Sequence, residues 1–222
     1  MKNTEFAKWV IIASGAVPIA MMVWDALDSQ LGPDPTTKML HITGIMSVIF
    51  LGASLCVTPL RAFTGKNFWS LYRRTLGVYA FFYALLHLGI WMQFDRHWDF
   101  VTAFQRTFTW RPGLNGSPNY AGPFSNFIFL GMAAFWLMAP LAITSTNGAI
   151  KKMGAKKWKL LHKLTYVITA LAILHILLGG NKSAGWVEWT LTYALGALLA
   201  YRLVVYIKGL VEARSKAAPR AA

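Results

Sequence analysis

Acidic side chains are scarce in this sequence: eight Asp and Glu stand against 22 Lys and Arg in 222 residues, a formal net charge of +14. Charged residues of both signs make up only 14% of the chain, hydrophobic ones 56%, and the mean hydropathy is +0.44. So little charge leaves no room for a separate soluble domain and defines a polytopic membrane protein. Cysteine is nearly absent. Cys56 alone forms no intrachain disulfide and builds no iron–sulfur cluster, and it reads as a small apolar core residue. Also missing are a Walker or Rossmann glycine pattern, a Cys-x-x-Cys-His run and an internal repeat. Strand-like alternation is lacking too, because the apolar runs are continuous; that excludes a closed barrel.

What is present is a set of long apolar runs. Six spans are expected, at about Trp9–Trp24, Leu40–Thr58, Thr75–Phe94, Phe124–Ile143, Leu160–Leu178 and Trp186–Ile207. Each is near the ~20 residues that cross ~30 Å of hydrocarbon as a helix. The fold class is therefore all-α, a six-helix transmembrane bundle forming one domain over residues 1–222, with its core at about 9–207 and a basic tail at 208–222. The N-terminus, the Thr58–Thr75 and Thr144–Lys163 loops and the tail hold most of the basic residues but only Glu5 and Glu212 of the acids. The other three loops carry Lys38, Arg96, Arg106, Arg111 and Lys182 against six acids. By the positive-inside rule both termini are cytoplasmic. The net charge is then a topology signal and a contact for lipid headgroups, and no nucleic acid is expected. Trp9, Trp24, Trp91, Trp158, Trp186 and Trp189 fall near span ends, as interfacial tryptophans do.

Along the chain, Lys8 followed by WVIIASGAVPIAMMVW has the charged start and apolar core of a signal peptide. The run continues to Trp24 without a clear cleavage site, so an uncleaved first span is favoured, bent at Pro18. Pro59 and Arg61 close the second span. His41 stands at its outer mouth, with two readings: an interfacial histidine bonded to headgroups or loop carbonyls, or a group beside a cofactor or quinol site. The loop Phe94–Gly122 is long and aromatic, and loops of this length are often functional. Within it Val101–Trp110 has the pattern of an interfacial helix, with Phe104, Phe108 and Trp110 on the membrane, or of a docking surface. His97 there reads as a polar loop residue. The fourth span has no ionisable group and looks structural, and from Ser215 the tail is expected to be disordered.

The remaining histidines carry the chemistry. His87 lies in the third span, and His162 and His175 in the fifth, within KKWKLLHKLTYVITALAILHILL. An imidazole in hydrocarbon is costly unless paired, buried or coordinated, which makes these functional candidates. Spans three and five run in the same direction, and His87 and His175 both lie towards the outer leaflet. They are placed to ligate one haem b from opposite sides with neutral imidazoles. His162 precedes His175 by thirteen residues, about 20 Å down the helix and about 140° around it. A second, inner haem at His162 therefore requires a bend, or an approach from another side. Arg73, fourteen residues before His87, shares its face to within about 40°. Three roles stand open for Arg73: an ordinary inner-end arginine, a haem-propionate partner, or the occupant of the place of a second histidine. Helix-packing histidines in a transporter or proton path are the competing reading of all of these.

The stretches GPDPTTKMLHITG, VTPLR, YRRTLGVYAFFYALLHL, ITSTNGAIKKMGAKKWKLLHKLTYV and ILHILL together cover most of residues 31–178. In order and spacing they resemble the haem-binding membrane subunits of periplasmic methionine-sulfoxide reductase systems, within the ferric-reductase-like transmembrane domain family. That resemblance implies a six-span b-type cytochrome of the bacterial inner membrane with one or two haems. It also implies FMN, electrons from the quinone pool or a flavin reductase, and delivery to a periplasmic molybdopterin methionine-sulfoxide reductase. Family haem ligands carry over onto His87, His162 and His175, and Arg73 stands where the wider group has a further histidine. A stand-alone ferric or cupric metalloreductase is the alternative. The long aromatic outer loop departs from the family pattern.

Overall fold

The computed structural model describes residues 2–108, 127–179 and 185–217, and among them every regular element is helical. In chain order these are α1 (Lys2–Leu27), α2 (Pro35–Thr64), α3 (Ser70–Ile90), α4 (Phe100–Phe108), α5 (Phe127–Ile143), α6 (Asn147–Met153), α7 (Ala155–Leu161), α8 (Leu164–Gly179) and α9 (Trp186–Ala217). Five segments are long and apolar enough to cross a bilayer: Trp9–Leu27, Pro35–Thr64, Asn67–Asp95, Ala155–Gly179 and Trp186–Glu212. A sixth arises if α5 and α6, bent by 88° at their junction, count as one. The protein is a multi-span membrane protein.

Local chemistry explains the boundaries. At the start of α2 the Asp34 carboxylate accepts the Thr37 backbone N–H at 3.0 Å, and Pro35 presets the first turn. Those Thr37 bonds hold the Asp34 carboxyl below its usual range. The helix then passes through Pro59, where the sequence suggested its end. It stops at Gly65, whose left-handed φ of 67° lets its N–H reach the Arg61 carbonyl. A proline forfeits its own N–H but a membrane helix accommodates that, whereas a left-handed residue redirects the chain. α1 likewise continues through Pro18.

Three further differences from the expected pattern bear on the site. The regular helix is interrupted within the span Ala155–Gly179: α7 ends at Leu161, a turn carries His162 and Lys163, and α8 begins at Leu164. α9 continues past Ile207 to Ala217, so Ser215 is helical rather than disordered. Cys56 is exposed on the outside of α2 and is no core residue. In the aromatic loop, α4 buries Ala103 and Thr107 while Val101 and Phe104 point outward. The Phe108 side chain and Trp110 lie outside the described residues.

The core forms where α2, α3, α5 and α8 meet, around Phe50, Leu51, Ala80, Tyr83, Ala134, Met138 and Ile168. Ser47 donates to the Ala80 carbonyl at 2.9 Å, tying α2 to α3. Tyr83, fully buried, donates to the Gly15 carbonyl at 2.7 Å and holds α1 against this core. α2 and α3 pack along their length, as do α5 and α8. The space between those two pairs is the site.

Candidate cofactor site

Four core helices and the start of α9 enclose a cavity of about 590 Å³. Its walls are mostly apolar, with Ile45, Leu51, Phe135, Met138 and Ile168 among them. His87 from α3 and His175 from α8 project into it, their ring centres 6.3 Å apart and their planes at 85°. Two imidazoles sharing one metal at ~2.0 Å per bond, with ring centres about 1.1 Å behind the ligating nitrogens, would stand ~6.2 Å apart. The observed spacing fits a single metal between them.

The two rings are held in the same way. Nδ1–H of His87 donates to the Leu40 carbonyl at 2.9 Å, and Nδ1–H of His175 donates to the Phe127 carbonyl at 2.7 Å. With the proton on Nδ1, Nε2 keeps its lone pair, the form that ligates metals. Four residues after each accepting carbonyl comes a glycine. A Cβ on Gly44 would lie 3.2 Å from the His87 ring, and one on Gly131 would lie 2.8 Å from the His175 ring. The absent side chains are what let the imidazoles approach the helix carbonyls. α5, which the sequence presents as merely structural, thus positions His175 through Phe127 and Gly131.

Among the described residues no group of three or more His, Cys, Asp or Glu converges as a metal site. Two imidazoles alone hold a free cation poorly. They suit a metal whose other positions are filled by a macrocycle, and the apolar walls suit the macrocycle itself.

At the mouth beside the start of α9, His41, from α2, and Glu188, from α9, form an ion pair and both line the cavity. His41 is thus paired with a side chain, which neither of its sequence readings included, and the Glu188 side chain is only 12% exposed. His97 is an exposed loop residue with φ of 47°, as expected. His162 lies apart from the His87–His175 pair, as the last residue capping α7. Its Nδ1–H donates to the Trp158 carbonyl at 3.1 Å, and its ring stacks on Trp158 with centres 3.9 Å apart. Its Nε2 is buried and has no partner among the described residues. A two-residue turn at His162–Lys163 separates α7 from α8 between His162 and His175. Arg73 is exposed at the start of α3, within electrostatic reach of His162.

Sequence reasoning missed Gly44, Gly131, Glu188 and Arg202. Arg202 stands in LGALLAYRLVVYI, an arginine inside an apolar run just before the basic tail.

The fold and the cavity define a multi-span membrane protein with two imidazoles aimed across one apolar chamber. The family described as ferric reductase like transmembrane component matches residues 43–173, and the chain belongs to it. It is 35% identical over 209 residues to the protein-methionine-sulfoxide reductase heme-binding subunit MsrQ of Herminiimonas arsenicoxydans, covering 94% of this chain and 88% of that one. Identity to the MsrQ of Polaromonas naphthalenivorans is 40% over 169 residues, 76% of this chain and 70% of the other. The magnetosome protein MamZ of Magnetospirillum gryphiswaldense is 34% identical over 212 residues, 91% of this chain but 30% of MamZ.

Proposed function

We propose that the chain is the b-type cytochrome subunit of a protein-methionine-sulfoxide reductase system in the bacterial inner membrane. It takes electrons from the quinone pool or a flavin reductase and passes them outward to a periplasmic molybdopterin subunit. The single observation that carries this reading is the His87–His175 pair, with both Nδ1–H groups tied to carbonyls and a ring separation that suits one metal. The names of the relatives, heme-binding subunits of that reductase, support it.

When bound, haem b supplies a one-electron Fe(III)/Fe(II) couple with no nucleophile or proton required. The chain's own residues supply the rest. His87 and His175 would hold the haem iron through Nε2, and their carbonyl partners would raise the basicity of each Nε2. The apolar walls exclude water, and the His41–Glu188 pair closes the outer mouth. His162, whose Nε2 has no partner among the described residues, would hold an inner haem, and Arg73 would pair with the carboxylates of that haem. FMN belongs to the same reading by resemblance, without a site assigned to it. Both termini face the cytoplasm, which places the His87–His175 layer near the periplasmic partner and His162 near the donor.

A reduced-minus-oxidised spectrum of the purified chain, with haem counted per polypeptide, tests this. His87→Ala and His175→Ala are expected to lose the outer haem, and His97→Ala to keep the full spectrum. Wild-type haem content in His87→Ala would overturn the ligand assignment. A folded wild-type sample without haem would favour a transporter. Reduction of ferric chelates without a molybdopterin partner would favour a metalloreductase.

A further inference from the structure

Six lysines and no acid occupy the stretch from Thr144 to Lys163. A topology signal needs only the charges, but here they ride on two short helices fixed to the bundle. α6 turns by 88° from α5, so it runs across that helix rather than along it. The Thr146 hydroxyl caps its start, accepting the Ala149 N–H at 3.1 Å, and Asn147 accepts a bond from the Arg74 guanidinium. Gly154, at φ 81°, ends α6 and starts α7. Trp158 then ties α7 back to the end of α5, its indole N–H donating to the Thr144 carbonyl at 3.0 Å.

The faces of α7 divide by chemistry. At about 100° per residue, Lys156, Lys159 and Leu160 share one face and Trp158 lies on the far side. Trp158 is half-buried and stacks on His162 with ring centres 3.9 Å apart, whereas the other three are exposed, Leu160 at 65%. On α6 Lys151 and Lys152 are exposed, and Ile143, at the corner before it, is 73% exposed. Lysines mixed with bare aliphatic side chains suit a membrane surface, which takes ammonium groups at its phosphates and alkyl groups below them. A wholly polar acidic surface would match the lysines but not Ile143 or Leu160.

The charges call for a counter-charge outside the chain. Among the described residues the ion pairs involve other side chains, so none of these lysines has a carboxylate partner. Lys156 and Lys159 stand three apart on a helix of only 7 residues. Like charges at that spacing destabilise a helix that is already too short to hold by itself.

We propose that α6 and α7 form a docking platform for anionic phospholipid, with headgroup phosphates between the lysines, and that this lipid orders α7 and with it the turn carrying His162. Basic residues in general attract an anionic leaflet. The platform adds a fixed place for the lipid, on the element that stacks against His162. The lipid site does not rest on the proposed function; its consequence for an inner haem at His162 does.

The test uses the full-length protein in nanodiscs of phosphatidylcholine, with and without phosphatidylglycerol. Wild type is compared with Lys156→Gln/Lys159→Gln, and with Lys208→Gln as a basic control outside the platform. Phospholipid retained on release from the discs is counted by native mass spectrometry, and hydrogen exchange is followed across residues 144–163. The expected result is retained phosphatidylglycerol and several-fold slower exchange of α6 and α7 in the anionic discs. Both effects are lost in the double variant and kept in Lys208→Gln. Equal exchange in the two lipids, or equal phosphatidylglycerol retention by the double variant, would overturn the proposal. Binding of polyglutamate to wild type without any lipid preference would overturn it too, and assign the face to an acidic polypeptide. Should the double variant fail to fold, wild type decides, because the added protection must fall as salt screens the lysines. Haem is read separately: under the proposed function, phosphatidylglycerol shifts the midpoint potential of the inner haem and leaves the His87–His175 haem unchanged. An unmoved inner haem beside lipid-dependent exchange would remove the link to His162 and uphold the lipid site. Wild-type protein without haem would sink the cytochrome reading, and exchange and lipid count would still judge the platform.

Discussion

A Cβ added to Gly131 would stand 2.8 Å from both Cε1 and Nδ1 of His175, so the imidazole occupies the place that any other residue's side chain would fill. The Nδ1–H that lies there reaches the carbonyl of Phe127, one turn earlier on the same helix. Gly44 and Leu40 repeat the relationship for His87, with slightly more room at 3.2 Å. Gly131→Ala should therefore push His175 off its carbonyl, with an overpacking cost of about 1–3 kcal/mol. Gly44→Ala should cost less. The expected readings are a large loss of outer haem per chain in Gly131→Ala and a smaller one in Gly44→Ala. Full haem content and an unshifted spectrum in Gly131→Ala would mean that the ring is not confined there.

The histidines themselves were legible because a polar ring in a continuous apolar run stands out, and their depth follows from counting residues along a helix. The glycines were not, because a glycine in a membrane helix has many uses and its partner ring lies on another helix. Depth reasoning also assumed straight helices. It counted the stretch from His162 to His175 as one continuous helix, whereas a turn at His162–Lys163 separates α7 from α8. Arg202 was hidden by its neighbours in sequence: a basic tail follows, and only the bond to Leu55 shows that this arginine turns inward. Pro59 misled in the opposite sense, because its local preference to end a helix is overridden by packing of α2 along α3.

The His41–Glu188 pair joins two helices whose residues are 147 apart in sequence. His41 is more than half exposed, at 54%, so the pair's contribution to stability should be no more than ~1 kcal/mol. Its larger effect should be on access, since both side chains line the mouth of the cavity. A double-mutant cycle with His41→Ala and Glu188→Ala is expected to show a small coupling energy in thermal unfolding. The outer haem should react faster with a water-soluble reductant in either variant. An unchanged reduction rate would remove the mouth-closing role.

Asp34 offers a pH dependence whose sign follows from its hydrogen bonds. Thr37 holds its folded carboxyl below the ordinary range, so the unfolded chain binds the proton more readily. The cap's stabilisation is therefore present above the unfolded value of about 3.9 and is lost as pH falls through the lower folded value. Asp34→Asn keeps an acceptor for the Thr37 N–H without titrating. Thermal unfolding between pH 6 and pH 3 should show wild type losing more stability than Asp34→Asn. Parallel curves would remove Asp34 from the acid response.

Tyr83 tests how α1 is held. Its hydroxyl is buried and donates to the Gly15 carbonyl at 2.7 Å, while α1 is otherwise largely exposed along its length. Tyr83→Phe removes the donor and leaves the carbonyl without it, at a cost of about 1–2 kcal/mol. The ring should stay, because it packs against Phe50 with centres 5.5 Å apart. The His87–His175 layer is built from α2, α3, α5 and α8, so haem content should not change. What should change is protection of α1: faster hydrogen exchange near Gly15, with the other helices unaffected. If the variant lost haem together with α1 protection, α1 would be part of the cofactor's support rather than a peripheral span.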